Sequence, residues 1–324
     1  MKMNVALCYD DNYAPYSTVV MSSVIYNNME EDIIFHILHT NLTEQRCKKI
    51  KAWIEQYKNK YVRFYQMRKE NFSDFPIDKN TYLDYGAYIR LYLGECLVDI
   101  EKVLYLDCDV IVNASLHDLW KIDIENYAVA GIRDRINDYI RVYNRLHYPM
   151  TDGYINSGVM LINLRKWRDD HFFNKARMMA KKNPEILMNH DQDLINMIYH
   201  GQIKMLPFKY NLLEYYLYTE DWLYLDRKYY SEIIEACKSP AIIHFCMPQK
   251  PWHYECINPY KELYYKYIAM TPWPELKLIH KVQHLSKKQK LKLFLERMGL
   301  YKVERRTTLR RDINVIEDSE NVLF

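Results

Sequence analysis

Hydrophobic and polar positions change period repeatedly along the first 110 residues. Val5–Tyr9 is a short apolar run that reads as a strand, and Tyr13–Asn28 follows with helical spacing. Asp32–His39 is apolar and rich in isoleucine, which predicts a second strand. Thr43–Tyr57 is helical in pattern, with Thr43 placed at the N-cap and Glu44 in the first turn. Tyr61–Gln66 is strand-like, Tyr82–Cys96 helical, and Lys102–Leu106 an apolar strand. This alternation predicts an α/β protein with a largely parallel, doubly wound sheet. Such sheets bind ligands beyond the carboxyl ends of their strands, where Asp10, Asn12, Asp107 and Asp109 all fall.

The middle of the chain is less regular. Tyr127–Ile132 and Gly158–Asn163 read as strands, and Arg165–Lys182 and Asp191–Tyr199 as helices. Ala241–Phe245 is a last apolar strand, with His244 near its end. After Pro274 the pattern changes. Leu278, Ile279, Val282 and Leu285 fall at helical spacing, as do Leu291, Phe294, Leu295 and Met298, with lysines and arginines between them. The chain therefore divides into a domain over residues 1–275 and a basic amphipathic tail over 276–324.

Charge sharpens that division. Residues 277–311 hold twelve Lys/Arg against Glu296 and Glu304, while 312–324 hold four acids and no base. The domain is slightly acidic by difference, so the net charge of +3 belongs to the tail. Basic residues interleaved with apolar ones suit an anionic membrane surface. The competing readings are a helical hairpin packed on the domain and contact with nucleic acid; membrane contact through 277–311 is expected, and no nucleic-acid partner. Seven scattered cysteines without a CxxC pair exclude a zinc framework and fit a reducing compartment. Met1–Tyr9 is too short an apolar run for a signal peptide, and no stretch approaches the ~18–20 apolar residues of a membrane span. The expected location is cytoplasmic, peripheral on the inner face of the cell membrane.

Asp107-Cys108-Asp109 follows the strand Lys102–Leu106. In an extended segment, side chains at i and i+2 point to one side. Two converging carboxylates repel one another and suit a hard divalent cation, Mn²⁺ or Mg²⁺, with open positions for phosphate oxygens. The plainer reading is a pair of strand-end acids that cap a helix or meet arginines.

Other segments carry two readings each. Asp10-Asp11-Asn12-Tyr13 either caps the next helix or binds a base and ribose, with Tyr13 stacking on the base. Arg90, flanked by Tyr88 and Tyr92, reads locally as a surface or salt-bridged arginine, and Asn156-Ser157-Gly158 as a turn. His190-Asp191-Gln192-Asp193 starts a helix, where acids favour the dipole and equally suit a cleft that does acid, nucleophile or sugar-binding work. His244 is either structural or a third metal ligand from a distant segment. Lys250, in a loop ordered by Pro248 and Pro251, offers an ammonium suited to a diphosphate.

Six stretches together resemble glycosyltransferase family 8, retaining transferases that include bacterial lipooligosaccharide α-galactosyltransferases and lipopolysaccharide glucosyl- and galactosyltransferases. They are Ala6–Ala14, Tyr88–Gly94, Lys102–Val110, Tyr154–Trp167, Asp191–Asn196 and His244–His253, in the family's order over residues 4–255. The resemblance implies a GT-A fold, a UDP-sugar donor, Mn²⁺ or Mg²⁺, and a glycan or glycolipid acceptor. By position it implies Asp107, Asp109 and His244 as metal ligands, and Asp10, Asn12 and Tyr13 as the nucleoside loop. Arg90, Asn156, Asp191 and Gln192 match positions that hold the donor sugar, and Lys250 matches a diphosphate-binding lysine. Met247 stands where the family usually has glycine, whose backbone approaches the diphosphate.

The implied reaction moves a hexose, galactose or glucose, with retention. Gln192 matches the position beneath the anomeric carbon. An amide oxygen is weakly basic, so same-face attack is expected rather than a glycosyl-enzyme, with Gln192 and Asp193 stabilising positive charge on the sugar and Asp191 beside them. Met247 leaves open a non-catalytic sugar-nucleotide-binding protein. A remote alternative is a haloacid-dehalogenase-type phosphatase, which also carries DxD after a strand. That pattern normally sits on the first strand and has Thr or Val two residues after the second Asp, where this chain has Ile111.

Overall fold

In the computed structural model, which describes residues 2–76, 86–218, 222, 225–280, 291, 294, 295, 298 and 300, the expected alternation forms. The strands are β1 (Lys2–Cys8), β2 (Asp32–His39), β3 (Lys60–Gln66), β4 (Lys102–Leu106), β5 (Val110–Val112), β6 (Val129–Gly131), β7 (Val159–Asn163), β8 (Ile203–Met205), β9 (Leu212–Leu213) and β10 (Ile242–His244). Seven of them make one sheet in the order β3-β2-β1-β4-β7-β6-β8. The pairs among β1–β4 are parallel, whereas β7 runs antiparallel to both β4 and β6. The sheet is therefore mixed and doubly wound. β5, β10 and β9 form a second, three-stranded sheet.

Side-chain alternation splits the core into two layers. Val5 and Leu7 of β1 and Val159 and Leu161 of β7 pack in one hydrophobic cluster; Ala6 of β1 and Met160 and Ile162 of β7 pack in the other. Both faces are covered, which is why β1 and β2 read as unbroken apolar runs. β3 lies at the sheet edge, and its alternating burial matches one wet face.

The helix Ala14–Asn27 carries a buried polar stripe that fastens β5. Val112 donates its N–H to Ser23 Oγ at 3.0 Å, and Asn27 Nδ2 donates to the Val112 carbonyl at 3.0 Å. These bonds satisfy backbone groups of a strand too short to hold itself.

Several expectations need correction. The helix expected over Arg165–Lys182 is two helices, Leu164–Asp169 and Phe172–Lys182, because His171 adopts a left-handed conformation with φ 51°. The segment expected as Tyr82–Cys96 is a helix–3₁₀–helix succession over 86–96, with 82–85 outside the described residues. Thr43 occupies the N-cap of the helix Glu44–Ile54, but its hydroxyl makes no capping bond. Helices Ile140–Leu146, Tyr230–Lys238 and Lys261–Ile268 were not expected.

Most of the tail lies outside the described residues. Ile279, expected on its first helix, instead forms a parallel bridge with His253; its N–H donates to the Trp252 carbonyl at 3.0 Å and its carbonyl accepts from Tyr254 at 3.1 Å. The chain thus still pairs with the domain past residue 275. Among the described residues no helix is long and apolar enough to cross a membrane.

Candidate active site

β4 ends at Leu106 and β5 begins at Val110, so Asp107–Asp109 is the link by which the chain leaves the large sheet for the small one. Cys108 and Asp109 lie in a turn, not in the straight segment that the i, i+2 argument assumed. The carboxylates converge all the same. β10 pairs antiparallel with β5, setting His244 opposite Val110 and bringing the imidazole to the same end. One ligating atom from each of Asp107, Asp109 and His244 lies within 4.8 Å of the others. His244 Nε2 is 3.3 Å from Asp109 Oδ1 and 3.9 Å from Asp107 Oδ2.

These residues fit a divalent cation on two grounds. Two carboxylate oxygens and one imidazole nitrogen are a donor set for Mn²⁺ or Mg²⁺, and the nitrogen favours Mn²⁺. Gly158 on the neighbouring strand end leaves room for the ligands: a Cβ there would fall 2.3 Å from His244 Cε1 and 2.8 Å from Asp107 Oδ2.

Arg90 is the hub beside this cluster, and it is buried. Its Nη2 lies 2.9 Å from Asp107 Oδ1, its Nε 3.2 Å from Asp191 Oδ2, and its Nη1 donates to the Ser157 carbonyl at 3.0 Å. Tyr105 Oη also donates to Asp107 Oδ1, at 2.7 Å. One oxygen of Asp107 is thus held by Arg90 and Tyr105, and the other faces His244. Gln192 Oε1 accepts from the Ser157 N–H at 3.0 Å and from Asn156 Nδ2 at 3.2 Å. Asn156 Nδ2 and Gln192 Nε2 both donate to Asp134 Oδ2, at 2.9 and 3.3 Å.

Electrostatics follow from this crowding. Burial pushes the Asp109 carboxyl up, but the Lys250 ammonium and His244 outweigh it and hold it well below the usual carboxylate range. Lys250 Nζ lies 2.5 Å from Asp109 Oδ2 and donates to the Phe245 carbonyl at 2.9 Å. Burial lowers the Lys250 pKa and Asp109 raises it, with a net rise. Asp191 is raised by burial; Arg90 opposes the shift and Asp107 adds to it.

Two adjoining cavities make the cleft. One, of about 310 Å³, is bounded by Tyr9, Asp10, Tyr13, Asp107, Asp109 and Lys250. The other, of about 340 Å³, is bounded by Asp134, Asn156, Asp191, Gln192, Tyr215 and Cys246. Arg90 and Asp107 line both. Asp10 accepts the Tyr13 N–H at 2.9 Å and Asn12 Nδ2 at 3.3 Å, so it shapes the turn into the helix while facing the cleft. Tyr13 is 46% exposed at the cavity mouth, with its ring in T-shaped contact with Tyr16 and Trp252, centroids 6.0 Å apart in each pair.

Three expected residues stand apart. Asn12 and Met247 line neither cavity; His244 lines neither as well, but joins the site through Asp109 and Asp107. Asp193 has no exposure; it accepts Tyr154 Oη at 2.6 Å and the Asn189 N–H at 2.7 Å, and its carboxylate is spent on the protein interior. Asp134 is a residue that sequence reasoning missed. It follows the expected strand Tyr127–Ile132 by two positions, and the strand-end rule applied to Asp107 would have found it.

Comparison with known proteins gives this geometry a family. The model of the family Glycosyl transferase family 8 matches residues 4–256. A relative from Haemophilus influenzae strain Rd is 34% identical over 263 residues, 78% of this chain and 74% of its own length. The lipopolysaccharide 1,2-glucosyltransferase of Escherichia coli K12 is 26% identical over 275 residues, 84% of this chain and 79% of its own. Among solved structures, the galactosyltransferase LgtC in complex with donor and acceptor sugar analogs superposes with a TM-score of 0.74 at 27% identity, over 83% of this chain and 96% of that one. The architecture is accordingly a GT-A fold. The chain belongs to glycosyl transferase family 8, a family of glycosyltransferases.

Proposed function

We propose that the protein moves a hexose, glucose or galactose, from a UDP-sugar to a hydroxyl of a cell-envelope glycan or glycolipid, with retention at the anomeric carbon. The observation that carries this reading is the meeting of Asp107, Asp109 and His244, with Lys250 on Asp109, beside a cleft in which Asp107 lines both cavities. The lipopolysaccharide transferases among the relatives support the hexose and the acceptor class.

The roles follow from position. Tyr13 stacks on the base and Asp10 hydrogen-bonds the nucleoside. Asp107, Asp109 and His244 would hold Mn²⁺ or Mg²⁺, which when bound neutralises charge on the leaving diphosphate. Lys250 adds an ammonium beside the same phosphates. Arg90 and Asp191 fix one side of the sugar, and Asn156 and Gln192 the other. The Gln192 amide oxygen is held by the Ser157 N–H and is a weak nucleophile, so the acceptor hydroxyl attacks the face from which UDP leaves. Asp193 supports this arrangement from behind rather than touching substrate.

The exposed Leu291, Phe294, Met298 and Leu300, set among basic residues, support contact of the tail with an anionic membrane on its cytoplasmic side. The deciding assay of the activity is UDP release from a panel of UDP-sugars with Mn²⁺, Mg²⁺ or EDTA. One or two UDP-hexoses should turn over, and only with metal. Equal release with EDTA, or none from any UDP-sugar with a cell-envelope acceptor extract present, would defeat the reading.

A further inference from the structure

Asn211 is fully buried and belongs to none of the six stretches that carry the family resemblance. It immediately precedes β9, whose parallel pairing with β10 sets Leu213 opposite His244. Backbone pairing therefore fixes Asn211 beside the imidazole. Its side chain spans from the sugar side of the cleft to the metal ligands. Nδ2 lies 2.9 Å from Asn156 Oδ1, and Oδ1 lies 3.0 Å from His244 Nδ1.

An amide can be turned over, so its direction needs an independent anchor. Gly158 supplies one. Its backbone N–H can only donate, and it donates to Asn156 Oδ1 at 3.0 Å. The other end of Asn156 meets the Asp134 carboxylate, which can only accept when ionised, so both contacts agree. With Asn156 Oδ1 established as an acceptor, Asn211 must present Nδ2 to it and Oδ1 to His244. A carboxamide oxygen only accepts. His244 Nδ1 therefore carries a proton, which excludes the neutral ring protonated at Nε2 alone and leaves Nε2 as the nitrogen that faces Asp109 and Asp107.

We propose that Asn211 is a positioning residue that holds His244 in its Nδ1–H tautomer and so aims the Nε2 lone pair at the cation site. The inference rests on the metal reading above. The opposite tautomer would direct an Nε2–H at the two carboxylates and satisfy them without an ion. Asn211 thus selects between a histidine that ligates and one that hydrogen-bonds the aspartates. Gly158 leaves room for the Nδ1–Cε1 edge of the ring, since a Cβ there would lie 2.3 Å from Cε1 and 2.9 Å from Nδ1. Histidine ligands commonly depend on such a partner for the second ring nitrogen.

The test uses the full chain and Mn²⁺ alone, followed by the electron paramagnetic resonance signal of free Mn²⁺. Asn211→Leu, which removes the acceptor at similar volume, should weaken Mn²⁺ binding about 10–100-fold. Asn211→Asp, which keeps an acceptor for Nδ1–H but loses the donor to Asn156 Oδ1, should weaken binding less than Asn211→Leu does. Nitrogen-15 spectra of the metal-free parent should show His244 protonated at Nδ1, and Asn211→Leu should show mixed tautomers. A parent that binds no Mn²⁺ overturns the metal reading and this inference with it. A parent that binds, with Asn211→Leu equal to it, overturns the inference alone, as does a parent protonated at Nε2 with Nδ1 bare. Should Asn211→Leu not fold, Asn211→Ser and the parent spectrum decide.

Discussion

Arg145 closes over Asp193 with both ends of its guanidinium: Nη1 lies 2.6 Å from Oδ2 and Nη2 donates to Oδ1 at 3.2 Å. With Tyr154 and Asn189 on the remaining lone pairs, the Asp193 carboxylate is satisfied inside the protein. Breaking such a pair from one side leaves a buried charge uncompensated. Asp193→Ala should therefore cost about 3 kcal/mol of stability, and pairing it with Arg145→Met should recover part of that. Thermal melts of the two single variants and the double variant check this. Unchanged melting of Asp193→Ala, or a covalent sugar adduct trapped on Asp193, would return that residue to the chemistry.

Gly158→Ala tests the packing of the cation site. The new methyl would meet His244 Cε1 at 2.3 Å, so the ring or the strand must shift. Overpacking should cost about 1–3 kcal/mol. Mn²⁺ affinity should fall by an order of magnitude or more, about the size seen when a ligand's support is lost. Gly86→Ala meets nothing within 4 Å and serves as the control, with its melting point unchanged or slightly raised.

Gln192→Ala bears on the route of retention. If the amide stabilises positive charge only as the sugar–phosphate bond breaks, kcat should drop about 10–100-fold while KM for the donor changes much less. Near-normal turnover would remove Gln192 from the chemistry.

His36 gives a pH dependence that is separate from the active site. Its ring is buried on β2 between Tyr65 Oη at 3.0 Å and Asn4 Oδ1 at 3.1 Å. Burial, then the charges of Arg63 and Lys2, lower its pKa to about 4. Because the folded state resists the proton and the unfolded state takes it up below pH ~6.5, stability is complete above that pH and declines toward pH 4. The loss amounts to about 3 kcal/mol. His36→Gln should flatten the urea-unfolding free energy between pH 4 and 6.5; an unaltered slope would assign the dependence elsewhere.

Ile279 separates two effects of tail removal. Its backbone braces Trp252 and Tyr254, and Lys250 and His253 sit in the same loop, joined by Lys250 N–H to His253 Nδ1 at 2.9 Å. A chain ending at residue 276 should lose this brace and show a raised KM for the donor. A chain ending at residue 280 should keep the parent KM. Both should co-sediment less with anionic liposomes than the full chain; equal sedimentation of all three would refute membrane contact through 277–311.

The parts of the fold that could be read in advance are those whose burial leaves a pattern. β1 and β2 are covered on both faces and appear as apolar runs; the helix Glu44–Ile54 buries Ile50, Trp53 and Ile54, three and four residues apart. β5, β8 and β9 are two or three residues long and, unlike the equally short β6 and β10, are not embedded in longer apolar runs, so nothing in their pattern registers. The break at His171 carries no glycine or proline to announce it. In the site, residue types at strand ends pointed to Asp107, Asp109, Asp10 and His244. The turn at Cys108 was invisible because the i, i+2 argument presumes a continuing strand. The phosphatase reading fails on topology, since the DxD follows β4 rather than the first strand. Asn211 had no local signal, because its importance comes from β9 lying beside β10.

The passage from β4 to β5 makes Asp107–Asp109 a keystone between two sheets, with His244 supplied from the smaller one. Ligand spacing is then governed by how those layers seat on one another. Ile111 and Ile243, paired across the small sheet and both fully buried, are part of that seating. Trimming a methyl from either one, neither of which lines the cleft, should register as slackened chemistry before it registers as an unravelled chain.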